Sequence, residues 1–264
     1  MKMPTTSAKP KKGGGHRPTS AATKSARHAA PGSAAEIDSE IEAGKETRGA
    51  RRKRETRQRL VEAAFRLMAE RGLDAVAINE ITEAADVGFG TFYNHFESRD
   101  QIYAVLMDTV FENFGDALDQ MLNDVKDPAE VISIAIRHTL MRARREPLWG
   151  KFLMREGLSS RILSRGLGVR LMRDIQAGVA SGRFNVPDPI MSFIAIAGGV
   201  LATISAELQL DSDANSSLNQ YGLSKQDIPE RAATVFLHSL GLTFAQARNV
   251  AQRPLPIIER GRTI

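Results

Sequence analysis

The chain has 264 residues, 42% of them hydrophobic, with a formal net charge of +5 and no cysteine. That is enough apolar material for one large domain or two small ones, and it excludes a disulfide framework, a thiolate metal site and a cysteine nucleophile. The five histidines fall at no ligand spacing such as H-x-x-x-H, so neither a metal nor a cofactor is expected.

Residues 1–53 read as a tail. From Met1 to Arg54 there are thirteen Lys and Arg against five Asp and Glu, with a Gly13-Gly14-Gly15 run, so the positive excess sits here and the remainder is slightly acidic. No apolar helical pattern precedes Leu60, and such a composition predicts disorder. The tail has no apolar h-region, so it does not read as a secretory signal. Two roles stay open: a solvated tail, or an arm adding non-specific phosphate attraction, strongest at Arg51-Arg52-Lys53-Arg54.

A first helix is predicted over Glu55–Arg71, where Leu60, Val61, Ala64, Phe65 and Met68 form one stripe and Gly72 ends it. A second covers Ile78–Ala85. Asp86 occupies the turn in an expected left-handed conformation, and Val87 plugs the turn into the core. A third, short helix runs over Gly88–Asn94, with Phe92 and Phe96 pointing inward. Ser98 and Gln101 make an S-x-x-Q cap for a fourth helix reaching Val125. Asp127-Pro128 starts a helix over Ala129–Arg145, and Pro147 separates it from one over Leu148–Gly157. Further helices are expected over Arg161–Ser181, Ile190–Leu210 and Ile228–Asn249, with loops at Pro187–Pro189 and Asp211–Tyr221 and fraying after Pro254. The apolar run Ile190–Ala206 is slightly short for a membrane span and carries Gly198 and Gly199, so it reads as a buried helix. No strand alternation is found. The fold class is all-α, and a cytoplasmic protein without a membrane is the expectation, nucleoid-associated when bound to DNA.

Three helices within about sixty residues, the last short and polar-faced, have the shape of a helix-turn-helix DNA reader. The outward candidates on the third helix are Phe89, Thr91, Tyr93, Asn94 and His95. Asn94 suits paired hydrogen bonds to adenine, Phe89 a thymine methyl, and the others phosphates or bases. Gly90 allows close approach of a sugar-phosphate chain. Arg57 and Arg99 are phosphate candidates. Each has a plainer reading: Tyr93 as a core-edge aromatic, His95 as a surface or packing residue, Arg99 as a solvated charge.

The stretch TRQRLVEAAFRLMAERG followed by INEITEAADVGFGTFYNHFESRDQIYAVL, Thr56–Met107, resembles the TetR/AcrR family of bacterial one-component repressors. Gly90-Thr91-Phe92-Tyr93 with Phe96 is its most specific part. The chain departs from the family pattern at Ala77, Asp86, Gly88 and Arg99, where Thr or Ser, Gly, Ser or Thr, and Lys are usual. The resemblance implies a head over residues 54–114 with its helix-turn-helix at 77–96, a helical effector-binding and dimerisation body over 115–250, and a tail over 251–264. It implies a sequence-specific regulator, binding a palindromic operator as a homodimer and released by a small apolar or amphipathic effector.

Phe114, Arg137, His138, Trp149, Phe152 and Met172 are the effector-site candidates, with ordinary core as the plainer reading. Ala195, Gly198, Gly199, Ala202 and Ala206 on one helix, and Ala233, Phe236, Leu237, Leu240 and Phe244 on the last, are candidates for a four-helix dimer interface, or else core within the chain. No catalytic constellation is legible, so no enzyme is expected. A non-specific DNA binder driven by the tail and a fold-sharing adaptor are the competing functions.

Overall fold

The computed structural model describes residues 47–158, 166–212 and 226–257. The chain divides into two units, Met1–Thr47 and Arg48–Ile264, and everything below concerns the second. The expectations for residues 1–46, for 161–165, for most of the loop after Asp211 and for 258–264 lie outside the described residues.

The described residues hold helices and no strand. In chain order they are α1 Arg48–Arg71, α2 Ile78–Ala84, α3 Phe89–Tyr93, α4 Arg99–Met107, a π-helical turn Asp108–Glu112, α5 Asn113–Leu122, α6 Pro128–Arg145, α7 Pro147–Glu156, α8 Gly166–Ala180, α9 Pro189–Ser212, α10 Ile228–Ser239 and α11 Phe244–Ala251. The first three helices and α4 form a small head around Leu60, Ala64, Met68, Ile81, Phe92, Phe96 and Ile102, all buried. The rod from α4 through the π turn to α5 leads into a body of α6 to α11.

Helix α1 starts seven residues earlier than its apolar stripe suggests, because Arg, Ala and Lys hold a helix without any core to face. The predicted tail therefore gives way to helix at Arg48. The fourth helix is one rod interrupted by the π turn. There the Val110 carbonyl accepts a hydrogen bond from the indole N–H of buried Trp149 at 3.1 Å. A wide turn in a helix commonly marks a functional place.

The predicted single last helix is two. Its apolar period runs on from Ala233 through Leu237 and Leu240 to Phe244, which hides the break. Gly241 takes φ +95°, and Thr243 caps α11 by accepting from the Gln246 amide at 3.3 Å while Gln246 Oε1 accepts from the Thr243 amide at 2.9 Å. A Cβ at Gly241 would lie 2.7 Å from the Asn185 carbonyl oxygen, whose own amide donates to the Leu240 carbonyl at 3.0 Å. Gly241→Ala is therefore expected to cost about 2–4 kcal/mol, since backbone strain and collision add. Gly182→Ala, also at positive φ but with open space around it, should cost only about 1 kcal/mol. Thermal unfolding of the two variants checks the order.

Helix ends before Pro254, as expected, but the segment to Pro256 is still held to the body. The Arg137 guanidinium donates to the Arg253 carbonyl at 2.8 Å, and His138 Nε2 lies 3.0 Å from the Pro256 carbonyl. Helix α9 is buried on one face only, through Phe193, Ile196, Val200 and Ile204. It is long and apolar enough to cross a membrane by length and composition. Its other face leaves Met191 55% exposed, with Ile190 and Ile194 beside it, so the expected burial holds only for a narrow stripe of the helix.

Candidate nucleic-acid interface and internal cavity

The turn between α2 and α3 has the predicted left-handed residue, Asp86 at φ 51°. A non-glycine residue there needs support, and Arg59 on α1 supplies it. Its guanidinium donates to the carbonyls of Ala85 and Asp86, the latter at 2.7 Å, and to the Asp86 carboxylate at 3.3 Å. Arg59 is absent from the sequence-based candidates, because an arginine on the polar side of a helix gives no sign of the carbonyls it meets. Ala77 offers no side-chain cap to α2. Instead Glu80 reaches back to the Ala77 amide at 2.9 Å and pairs with Arg71 at 2.7 Å. The next junction follows the sequence: the Gln101 amide donates to Ser98 Oγ at 3.2 Å.

These contacts set α3 with Phe92 inside and its other face out. Phe89 is 54% and Tyr93 52% exposed, edge to face with centroids 5.5 Å apart. Asn94 and Gly90 are exposed, and Thr91 and His95 half-buried. A Cβ on Gly90 would meet nothing of the chain within 4 Å, so packing within the chain does not require glycine there. Burial holds the His95 imidazole below its ordinary pKa, and the Lys53 and Arg57 charges push the same way. It is neutral at pH 7, and its Nδ1 has no hydrogen-bond partner among the described residues.

Arg57 is exposed, its guanidinium 4.9 Å from the Phe96 ring centroid. Arg99 is turned toward the α1–α2 connection instead, reaching the Val76 carbonyl at 3.3 Å and the Asp74 carbonyl at 3.4 Å. It works there as a clamp on the loop, and its freedom to meet a phosphate is reduced accordingly.

In the body, a cavity of about 110 Å³ lies among the π turn, α5, α6, α7, α8 and α9. Phe111, Leu118, Ile136, Leu153, Leu171, Val200 and Leu201 contribute its apolar walls, and Asp119, Arg170, Asp174, Thr139 and Glu156 its polar groups. Arg170 bonds Asp119 and Glu112, both at 2.8 Å, and Asp116. Arg173 bonds Asp119 and Asp174, both at 2.8 Å. Burial pushes the Asp119 carboxyl up, but hydrogen bonds from Arg173 and Arg170 outweigh it and hold the group below the usual carboxylate range. At Asp174 burial dominates and raises the carboxyl, against the pull of Arg173. Two acids on one wall thus differ in their readiness to ionise.

None of the six residues expected to hold an effector lines this cavity. Phe114, Trp149 and Phe152 form an aromatic cluster behind it, joined through Phe111, which stacks on Phe152 at 5.4 Å. Arg142 lies 4.8 Å from the Trp149 ring centroid. Arg137 is buried against Glu230, and His138 faces the C-terminal segment. Burial pushes the His138 pKa down to about 4, so it packs as a neutral ring. Met172 is half-buried beside the core. The aromatic candidates among them pack as core, since aromatic size selects for burial before cavity lining.

Among the expected interface residues, Ala233, Leu237 and Leu240 are fully buried in the chain itself, where no second chain can meet them. Gly199 lies under Phe236, whose ring would stand 2.4 Å from a Cβ there. Ala195, Ala202 and Phe244 are exposed and Gly198, Ala206 and Phe236 half-buried. Val235 on α10, not among the sequence-based candidates, is 58% exposed.

Residues 60–106 match the domain described as bacterial regulatory proteins, tetR family, and residues 127–253 the tetracyclin repressor-like C-terminal domain. The chain is 36% identical over 72 residues to the HTH-type transcriptional repressor DhaR of Mycobacterium sp. (strain GP1), a match covering 27% of this chain and 36% of that protein. It is 29% identical over 87 residues to the HTH-type transcriptional regulator AcrR of Shigella flexneri, covering 33% of this chain and 40% of that protein. The chain thus spans well under two thirds of these curated relatives. The crystal structure of RolR in complex with resorcinol is 38% identical, covers 80% of this chain and 100% of that one, and superposes with a TM-score of 0.56.

Proposed function

The chain belongs to the TetR family of DNA-binding transcriptional regulators, and on that premise we propose that it is a homodimeric repressor, released from a palindromic operator by a small hydroxylated aromatic molecule. The observation that carries this reading is the cavity of about 110 Å³ with one hydrogen-bonding wall. An apolar protein cavity of roughly 150 Å³ accepts benzene; at about 110 Å³ this one is of that order but smaller, so a single ring is the largest occupant it suits and its walls must give to admit one. Each Asp119 oxygen already accepts one arginine hydrogen bond, and each retains a lone pair for a ring hydroxyl. The resorcinol held by RolR is a ring of this kind.

Operator reading falls to α3 and the residues that end it, exposed Phe89, Tyr93 and Asn94 with half-buried Thr91 and His95, with Gly90 leaving room for a backbone and Arg57 available for a phosphate. One such head makes too few contacts for tight specific binding, and a symmetric pair meets half-sites a duplex turn apart or a multiple of it. The outward apolar residues Ile190, Met191 and Ile194 on α9 and Val235 on α10 are the surface a second copy would cover, giving four helices at the interface. Such a protein works in the cytoplasm, on the nucleoid while bound to its operator.

Release requires the cavity to bias the head. The C-terminal end of α7 touches both: Glu156 lines the cavity and accepts from Tyr103 of α4 at 2.5 Å, while Arg155 bonds the last carbonyls of α1. A shift of this end on ring binding would turn both elements that hold α3. Calorimetric titration with resorcinol tests the effector part. Asp119→Asn should weaken its binding at least about tenfold by removing one charge-assisted hydrogen bond, with operator affinity unchanged. Absence of heat with resorcinol and related monohydroxy and dihydroxy benzenes would remove the effector class.

A further inference from the structure

Glu112, Asp116 and Asp119 follow one another at steps of four and three where the π turn runs into α5, so their carboxylates share one face of the rod. Gly115 lies on that face between them. One guanidinium joins all three acids. Arg170 of α8 donates from Nε to Asp119 and from Nη1 to Glu112, both at 2.8 Å, and from Nη2 to Asp116. A further bond from Nη1 reaches the Gly166 carbonyl of its own helix at 3.0 Å. The planar fork of arginine offers donors in these directions at once, which a single ammonium nitrogen does not.

The fork sits against Gly115. A Cβ there would stand 2.6 Å from Arg170 Cζ and 2.7 Å from both Nε and Nη1. Real Cβ atoms do not approach so closely, so any side chain at this position must displace the guanidinium. The end of a flexible side chain can move, and alanine suits a helix better than glycine, so the fold survives the exchange. The hydrogen bonds do not, because the displaced atoms are the donors to Asp119 and Glu112. Arg170 and Asp119 line the cavity, and Gly115 is not among the lining residues.

We propose that Gly115 is a positioning residue of the effector wall, whose missing Cβ lets Arg170 settle on α5 and hold Asp119 in place for a ring hydroxyl. The inference rests on the reading of the cavity as the effector site and names a residue that shapes it without touching the ring. The charged groups around Asp119 are Arg170, Arg173 and Asp174 of α8, Asp116 and Glu112 on its own rod, and Glu156 of α7 on the cavity wall. Burial raises the Asp119 carboxyl and the two arginines lower it. With one arginine displaced, burial weighs more and the carboxyl rises.

The test uses Gly115→Ala, Arg170→Gln and the double variant in the full-length protein, with resorcinol binding followed by calorimetry. Gly115→Ala should bind resorcinol at least about tenfold more weakly, while the thermal midpoint does not fall and operator affinity holds. Added to Arg170→Gln, the same alanine should change nothing further, because its route to the ring is the guanidinium; independent damage would add instead. A second measurement needs no effector. The side-chain carboxyl resonance of Asp119 should titrate at higher pH in Gly115→Ala than in the unaltered protein. Protonation removes the charged acceptor, so resorcinol affinity in the variant should be lost earlier as the pH falls. Full affinity in Gly115→Ala with an unmoved Asp119 titration, or losses that add in the double variant, overturn the role of Gly115 and leave the effector reading standing. If the unaltered protein gives no heat with resorcinol or related benzenes, a raised Asp119 titration keeps Gly115 as the seat of Arg170 and overturns the effector class alone. An unmoved titration then overturns both.

Discussion

Replacing Tyr93 and Asn94 together by alanine is expected to abolish preference for the selected operator while leaving the protein folded. Both side chains stand exposed on α3, so their removal opens no cavity, and surface changes of this kind usually alter stability by less than about 0.5 kcal/mol. A good base contact carries about 1–3 kcal/mol of discrimination. Two copies of the head double the loss of each contact, so the double variant should bind the operator at least about a hundredfold more weakly. Affinity for a scrambled duplex should change little, because the cations of α1 remain. Tyr93 also leans on Phe89, so Tyr93→Phe separates the ring from the hydroxyl. Full retention of operator preference in the double variant, measured by gel shift, would place the reading surface elsewhere.

The second large effect is expected from Arg155→Ala, as a loss of communication with both bindings intact. The Arg155 guanidinium donates to the Ala69 carbonyl at 2.9 Å and also to that of Glu70. A cation at a helix C-terminus meets carbonyls that have no partner in the helix, and it favours the negative end of the helix dipole. The next residue, Glu156, is part of the cavity wall. Coupling between an effector and DNA is typically about 1–3 kcal/mol, or a change in operator affinity of roughly 5–150-fold. In Arg155→Ala that ratio should fall toward one, with resorcinol still giving heat and the operator still bound. If the ratio survives, the signal leaves the cavity by the Glu156–Tyr103 contact alone, and Tyr103→Phe becomes the variant that loses it.

The head was legible because its constraints are local. Leu60, Ala64 and Met68 show the stripe of α1, Asp86 stands where a left-handed residue was expected, and Ser98 with Gln101 marks the start of α4. The body was legible only as helices. Asp119, Arg170 and Asp174 come from α5 and α8, some fifty residues apart in the chain, and no periodicity brings them to one wall. Arg59, Arg99 and Arg155 share the same difficulty. Each donates to main-chain carbonyls of a distant segment, and a carbonyl leaves no trace in a sequence. The first turns of α1 were taken for tail because an apolar stripe shows which face of a helix is buried and says nothing of a turn that faces water alone. The break at Gly241 was read through as helix, because the apolar period continues across it.

The sole tryptophan of the chain, Trp149, is buried with its indole tied to the Val110 carbonyl and its ring against Phe111, a residue of the cavity wall. A single fluorophore so placed gives emission from one known site. Any rearrangement around the π turn should alter its wavelength or quantum yield, so the protein carries an internal optical reporter, and occupancy of the body can be followed in real time without a label.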